Sequence, residues 1–360
     1  MIKSIYEYGE LTVRVRGKKS FMLVKSDYDA MVSAENIQTA LRRLEGTRYQ
    51  PYISQMLIEE FNLGKAEENL TKAYLDDFNF ILSKLKNRRA IEFFREFNRL
   101  FEFKTLASIF RSIVLGVGWE KALEYTVPFG RLDSSTCRRL IEEKNVKNVF
   151  GFIENENFIK EVEKIVGEVG DPILQANMVE LALNRYALER VWEKLLRLKG
   201  RDRLAVKLVG ITIDTLNIMA VLRLKKLEFK PDEIETFLIP IFYMLKDKEV
   251  KRAVTASNDA DALKVFASGE YVDVVSPLLS GYEVRRDLSL LEVALKRYHA
   301  KECERIFFQP FFHFGEALAY LYLKMYEVKD LISILTGKYF GLPADKIEYS
   351  LVLHQPPHPI

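Results

Sequence analysis

The chain has 360 residues, 48% of them hydrophobic and 29% charged, the balance of an ordinary soluble globular protein. A net charge of +3 is too small to argue for a nucleic-acid or anionic-membrane surface, and the two cysteines, Cys137 and Cys303, match no metal or redox spacing. The most apolar run, Phe237 to Leu245, is short and contains Pro240, whereas a spanning helix needs roughly 20 residues, so direct bilayer insertion is not expected.

The N-terminus, Met1 to Tyr6, lacks the basic and apolar regions of a signal peptide, which reads as a cytoplasmic protein. From there, Tyr28, Met31, Val32, Ile37, Ala40, Leu41 and Leu44 recur at helical spacing, with Asn36 a candidate N-cap. Val13-Arg14-Val15-Arg16 alternates as a strand would and reads equally as one basic helix face. Helical patterning then runs from Gln55 to Leu115 with no proline and a single glycine, Gly64. Within it, Lys84 to Arg99 mixes basic residues with Phe93, Phe94 and Phe97, a composition found on nucleic-acid surfaces. Glu92 and Glu96 among the arginines, and the amphipathic spacing, favour a solvated face over a core stripe, so no nucleic-acid partner is expected.

Gly116-Val117-Gly118 follows a helix and precedes no Lys-Ser/Thr, so it is not read as a phosphate loop. Thr126 to Gly130 breaks the chain. Asn145 to Ile153 repeats the pattern of Asn36 to Leu44, and Asn258 to Phe266 repeats it more faintly. Gly170-Asp171-Pro172 starts another helix, and Lys230 to Glu233 leads into the last third. The end, His354 to Ile360, is too rich in proline for a helix and reads as a loose tail. Strand and hairpin signals are scarce, so the fold class is all-α.

One pattern occurs three times. Tyr74, Tyr186 and Tyr298 are spaced by 112 residues, and six residues before each stands a glutamate, Glu68, Glu180 or Glu292. Downstream come three acids, Glu102, Asp214 and Glu327, each followed by a polar residue at +3 (Thr105, Asn217, Asp330). Apolar residues then fill +4, +7 and +8: Leu106, Ile109 and Phe110; Ile218, Val221 and Leu222; Leu331, Ile334 and Leu335. At +9 stand Arg111, Arg223 and Thr336. Positions 0, +3, +4, +7 and +8 share one helical stripe, so the acid lies on the face that must be buried and has to find donors there. A structural network joining neighbouring segments is favoured over a proton-handling carboxylate, because an active site rarely needs three copies. The expected units are residues 1–125, 126–237 and 238–353, with 354–360 the tail.

Catalytic constellations are not found. His299 and Cys303 share a helix face but supply only two metal ligands, and His313 sits among phenylalanines. No Walker A loop, Gly-x-Ser-x-Gly elbow or Cys-x-x-Cys is present, so no catalytic residue, metal or cofactor is assigned.

The acid-x-x-Asn signature ending in Arg, Asp214-Thr215-Leu216-Asn217 through Arg223, resembles the repeated element of the C subunit of archaeal and V-type ATP synthases, called the d subunit in the eukaryotic V-ATPase. So do Tyr8, Val13 to Arg16, Leu23, Leu44 and Thr47-Arg48-Tyr49 at the start, and Glu327 to Leu331, Gly337-Lys338, Gly341-Leu342-Pro343 and Ile347 at the end. Thr105, Asp330 and Thr336 depart from the family pattern. The resemblance implies an all-helical, funnel-shaped body of three pseudo-threefold repeats around a central cavity. It also implies a non-catalytic subunit, peripheral to the membrane, that couples the central-stalk subunits of a rotary complex to the membrane proteolipid ring during proton or sodium translocation. Arg111 and Arg223, facing away from the stripe, are then candidates for contact with the stalk; pairing with local glutamates is the simpler alternative. A helical-repeat scaffold unrelated to rotary motors is the competing reading.

Overall fold

The computed structural model describes residues 2–122, 126–198, 202–309 and 312–354. Among them the chain is helical, with no strand beyond one isolated bridge between Phe129 and Leu132. The long helices are α1 (Ile2–Lys19), α2 (Leu63–Lys84), α3 (Arg88–Val114), α4 (Pro172–Leu196), α5 (Arg203–Lys226), α6 (Ser289–Ile306) and α7 (Gly315–Tyr339). A short helix, α8 (Ala344–Ser350), follows them, and other short helices lie between.

Caps explain where several of these start. Asp202 accepts from the Leu204 and Ala205 amides at the head of α5, and Asp171 accepts from Leu174 ahead of Pro172 in α4. The three asparagines picked out by pattern, Asn36, Asn145 and Asn258, each cap a short helix, accepting from Thr39, Lys147 and Asp261. Asn87 is a cap that the helical pattern concealed. Its Oδ1 accepts from Arg89 N–H at 3.0 Å, and the chain breaks between α2 and α3. Within the stretch from Gln55 to Leu115, residues 55–62 are turns and irregular chain, so the expected helix starts only at Leu63, and the rest is two long helices parted at residues 85–87, since short polar side chains compete for backbone amides.

Packing divides the chain into two compact units: residues 1–91, 198–235 and 240–360 in one, 92–197 and 236–239 in the other. In the larger unit α7 is the axis. It packs on α2, α6, α1 and α5, and eighteen of its residues are buried. A helix with apolar residues on most of its circumference must be enclosed, and burying them is a large apolar contribution to stability, while its buried Glu316, Lys324, Glu327 and Asp330 have to find partners. By length and hydropathy α5 could cross a membrane, yet 72% of its apolar stretch is already buried inside the fold. Val13 to Arg16 lies in α1, where Val15 is buried and Arg16 turns inward to Glu316 at 2.8 and 3.0 Å.

The smaller unit is built on α3 and α4. Leu106, Ile109 and Phe110 meet Val179, Ala182, Leu183 and Tyr186, closed by short helices carrying Leu140, Phe150 and Phe158. Phe93, Phe94 and Phe97 are all buried, and Glu96 is clasped by Arg190 at 2.6 and 3.2 Å. The aromatic half of the Lys84 to Arg99 stretch is thus core.

The C-terminal end differs from expectation at one residue. His354, expected to open a loose tail, is 2% exposed and its ring stacks on Tyr28 at 5.8 Å. Residues 355–360 lie outside the described residues. The reason for the docking is upstream, where buried groups hold the backbone of residues 351–353.

Candidate functional site

Asp214, midway along α5, is fully buried. Opposite it runs the apolar stretch containing Pro240, which forms no helix at 238–246 and so carries amides in need of acceptors. Asp214 supplies one acceptor to three of them: Tyr243 N–H at 2.9 Å, Met244 at 2.7 Å and Leu245 at 3.2 Å. The Tyr271 hydroxyl adds a fourth bond at 3.0 Å. Burial pushes this carboxyl above its ordinary range, and the four donors pull it back toward the charged form. Asn217, one turn on, donates to the Ile241 carbonyl at 3.2 Å. Gly210 makes the approach possible, because a Cβ there would run into the Tyr243 ring.

Glu327 of α7 is enclosed in the same manner. It accepts from Leu23 N–H and from the Tyr49 hydroxyl, both at 2.7 Å, and Lys324 lies 3.0 Å away. Glu102 of α3 is less covered. It accepts from Arg131 N–H at 3.2 Å and pairs with the Arg131 guanidinium at 3.3 Å. Gly130, at φ 60°, leaves room for that carboxylate, which a side chain at this position would strike. All nine apolar residues at +4, +7 and +8 of the three acids are buried.

The +9 arginines are held by glutamates of the sequence pattern. Arg111 Nη2 bonds Glu180 at 3.0 Å and Asn177 at 2.9 Å; Arg223 Nη2 bonds Glu292 at 2.5 Å. Both ion pairs join residues 69 apart in the chain. The pattern tyrosines lie nearby in their own units. Tyr186 stacks on Phe158 at 4.2 Å and Tyr298 meets Tyr271 edge-on at 5.8 Å, while Tyr74 is buried beside Phe78. Glu68 is exposed on α2.

A family model described as ATP synthase (C/AC39) subunit matches residues 11–349. The chain belongs to this family. Among relatives, the A-type ATP synthase C subunit of Methanocaldococcus jannaschii is 21% identical over 354 residues, covering 98% of this chain and 88% of the relative. The protein of the same name from Archaeoglobus fulgidus is 23% identical, covering 98% of this chain and all of the relative. That from Pyrococcus furiosus is 20% identical over 91% of this chain and 85% of its own length.

Seen as a member of the ATP synthase (C/AC39) family, the chain's departures at +3 acquire a structural meaning. Thr105 keeps the donor role, with its hydroxyl 2.7 Å from the Val127 carbonyl. Asp330 cannot donate when ionised, and its partners are amides: Val352 N–H at 2.8 Å and Leu353 N–H at 2.7 Å. Burial raises this carboxyl to about 7 against the pull of the two amides. Arg297 completes the grip by donating to the Leu351 carbonyl at 3.0 and 2.8 Å.

The histidines are placed by packing. His299 is buried, with one ring nitrogen 3.0 Å from the Leu208 carbonyl and the other 2.9 Å from the Tyr326 hydroxyl; burial lowers it to about 4. Cys303 lies 3.9 Å from it, buried and held well above the ordinary thiol range by desolvation. His313 stands between Asp202 at 3.3 Å and Glu316 at 3.5 Å. Pattern reading missed Tyr49 and Tyr271, which partner the acids from distant segments, and Lys324, one turn before Glu327 on the same helix. No local periodicity marks a residue whose function is a bond to a helix 278 positions away, as in Tyr49 with Glu327.

Proposed function

We propose that the chain is a non-catalytic central-stalk subunit of an A/V-type rotary ATP synthase or ATPase, coupling the turning stalk to the membrane proteolipid ring during proton or sodium translocation. The relatives' shared name, the C subunit of an A-type ATP synthase, supports membership of such a complex. A peripheral, cytoplasmic position is part of the same reading, and the enclosure of α5 fits it.

The observation that carries the mechanical part is the pattern of bonds made by the acids. Glu102 and Asp214 each accept from the amide 29 residues on. Asp214 binds the hydroxyl 57 residues on, and its deepest amide 31 residues on. Glu327 is bonded from the opposite end of the chain, and its partners fall in step. Carried round three units of 112 residues, Tyr49 stands 58 positions past Glu327 and Leu23 stands 32 past it. This supports three like units, 1–125, 126–237 and 238–353, arranged as a pseudo-threefold funnel whose third member bonds back to the first. A closed ring of like interfaces resists torsion without a flexible end, which suits a body that transmits torque. Arg111 and Arg223 each have one guanidinium nitrogen on a glutamate, Glu180 or Glu292, and could contact a stalk subunit through their remaining N–H groups.

Reconstitution tests the proposal. The purified chain is expected to bind isolated stalk subunits and the detergent-solubilised proteolipid ring, and to be needed for ATP-driven ion pumping by the assembled complex. A chain that binds neither is a helical scaffold of another kind.

A further inference from the structure

The Thr47-Arg48-Tyr49 stretch is only partly accounted for by the fold. The Thr47 hydroxyl donates to the Leu44 carbonyl at 2.6 Å and accepts from Tyr49 N–H at 3.1 Å, while the Tyr49 hydroxyl binds Glu327. Arg48, between them, is exposed. Its guanidinium lies over the Phe21 ring at 5.5 Å and makes a long bond, 3.4 Å, to the Lys18 carbonyl. Among the described residues it has no carboxylate partner.

Arg48 stands on the wall of a cavity of about 680 Å³ between α1, residues 47–54, α2 and Lys324 of α7. The other cations there are occupied. Lys18 pairs with Asp77 at 2.5 Å, whose second oxygen takes the Tyr320 hydroxyl. Lys324 is held by Tyr49 at 2.7 Å and Glu327 at 3.0 Å. Gln50 has its oxygen on Gly46 N–H at 2.9 Å, which leaves its amide protons for the cavity. The wall carries a carboxylate with room for a cation as well. Among the described residues, Asp76 is exposed and bonded only by the Tyr52 hydroxyl, at 2.7 Å.

We infer that this cavity is a seat for a charged segment of a partner subunit, taking an acidic side chain on Arg48 and a basic neighbour of that side chain on Asp76. A guanidinium is built to hold a carboxylate in a two-pronged bond, and Arg48 is the cation on this wall free to do so. Asp76 decides what kind of anion enters. A doubly charged phosphate would be repelled by it, whereas an acid and a base one helical turn apart would satisfy both walls. The inference rests on reading the chain as a subunit of a larger complex, and it assigns part of the binding to a place other than Arg111 and Arg223.

The test compares wild type, Arg48→Ala, Arg48→Glu and, as an exposed control off the cavity, Arg42→Glu in binding to isolated stalk subunits and to the ring. Circular dichroism checks that each variant folds, as Arg48 carries little of the packing. Loss of one charge-assisted pair should weaken binding of one of these partners roughly ten-fold or more for both Arg48 variants and leave Arg42→Glu unchanged. Equal affinities for wild type and Arg48→Glu would overturn the inference while the coupling reading stands. Binding of inorganic phosphate at Arg48, with assembly unaffected in Arg48→Glu, would assign the cavity to a free anion and overturn it too. Failure of the wild type to bind any stalk or ring subunit would remove the coupling reading and this seat with it.

Discussion

At the scale of single residues, a buried carboxylate is tolerated only because its surroundings are amides with nowhere else to bond. Asp214 is the clearest case, with three backbone N–H groups and one hydroxyl on two oxygens. Asp214→Leu keeps the branched shape at a larger volume and removes every acceptor, so each stranded donor costs on the order of 1–3 kcal/mol. We expect a total loss of several kcal/mol, read as a lower urea midpoint. An unchanged midpoint would mean that residues 243–245 find other acceptors. The arginines should behave differently. Arg111 and Arg223 are partly exposed and each faces one glutamate, so the double substitution to alanine should cost about 1 kcal/mol or less per site. Stalk binding by that double variant then tells whether either side chain contributes to the stalk contact.

At the scale of elements, the last described residues form a strap over α7. Asp330 holds the amides of Val352 and Leu353, Arg297 holds the Leu351 carbonyl, and α8 presses Ile347 against Gly337, where a Cβ would collide with it. The groups governing its pH response are Asp330, Arg297, Glu327, His354, Asp29, Glu348 and Lys25. Burial places Asp330 at about 7 in the folded chain, above the ordinary value of 3.8. A carboxyl raised by folding stabilises the native state below its unfolded pKa, and that contribution disappears as pH rises through the folded value. Stability from this group should therefore fall between about pH 4 and pH 7 and level off above. Thermal melts of wild type minus Asp330→Asn isolate the slope; a difference that is flat across the window would show that the two amides keep Asp330 charged throughout. Core packing on the same helix gives an independent expectation. Leu331→Ala, at a fully buried position, should destabilise by about 2–5 kcal/mol in a denaturant melt.

At the scale of the whole molecule, repetition in sequence and compactness in space divide the chain differently. The 112-residue spacing places boundaries near 125 and 237, whereas packing gathers 1–91, 198–235 and 240–360 into one unit. The two divisions need not agree, because each acid bonds to a segment beyond the boundary that the spacing draws. Packing units follow those bonds. Removing residues 1–53 should accordingly damage the far end of the chain, since Leu23 and Tyr49 donate to Glu327 beside Lys324. Faster hydrogen exchange at the middle of α7 in such a truncation, relative to α4, would register that link; equal protection in the two helices would deny it.

The sequence by itself determined the helices, because helical period, caps and the scarcity of strand signals are local properties written within a few turns of chain. It also marked Asp214 for burial, since the stripe it shares with Ile218, Val221 and Leu222 follows from 3.6 residues per turn alone, although Glu102 at the same place on its own stripe is only partly covered. Tertiary structure decided what those acids bind. Tyr243 to Leu245, Tyr271, Leu23 and Tyr49 carry no mark of their role, being ordinary apolar and aromatic residues whose amides or hydroxyls become donors only when another helix covers them. The same holds for Asp330, an acceptor that holds the amides of Val352 and Leu353 at the spacing where Thr105 holds the Val127 carbonyl, and for Arg48, whose lack of a carboxylate partner among the described residues is visible only once every neighbouring charge has been placed. A local period can say that a group must be satisfied; only the fold says by what.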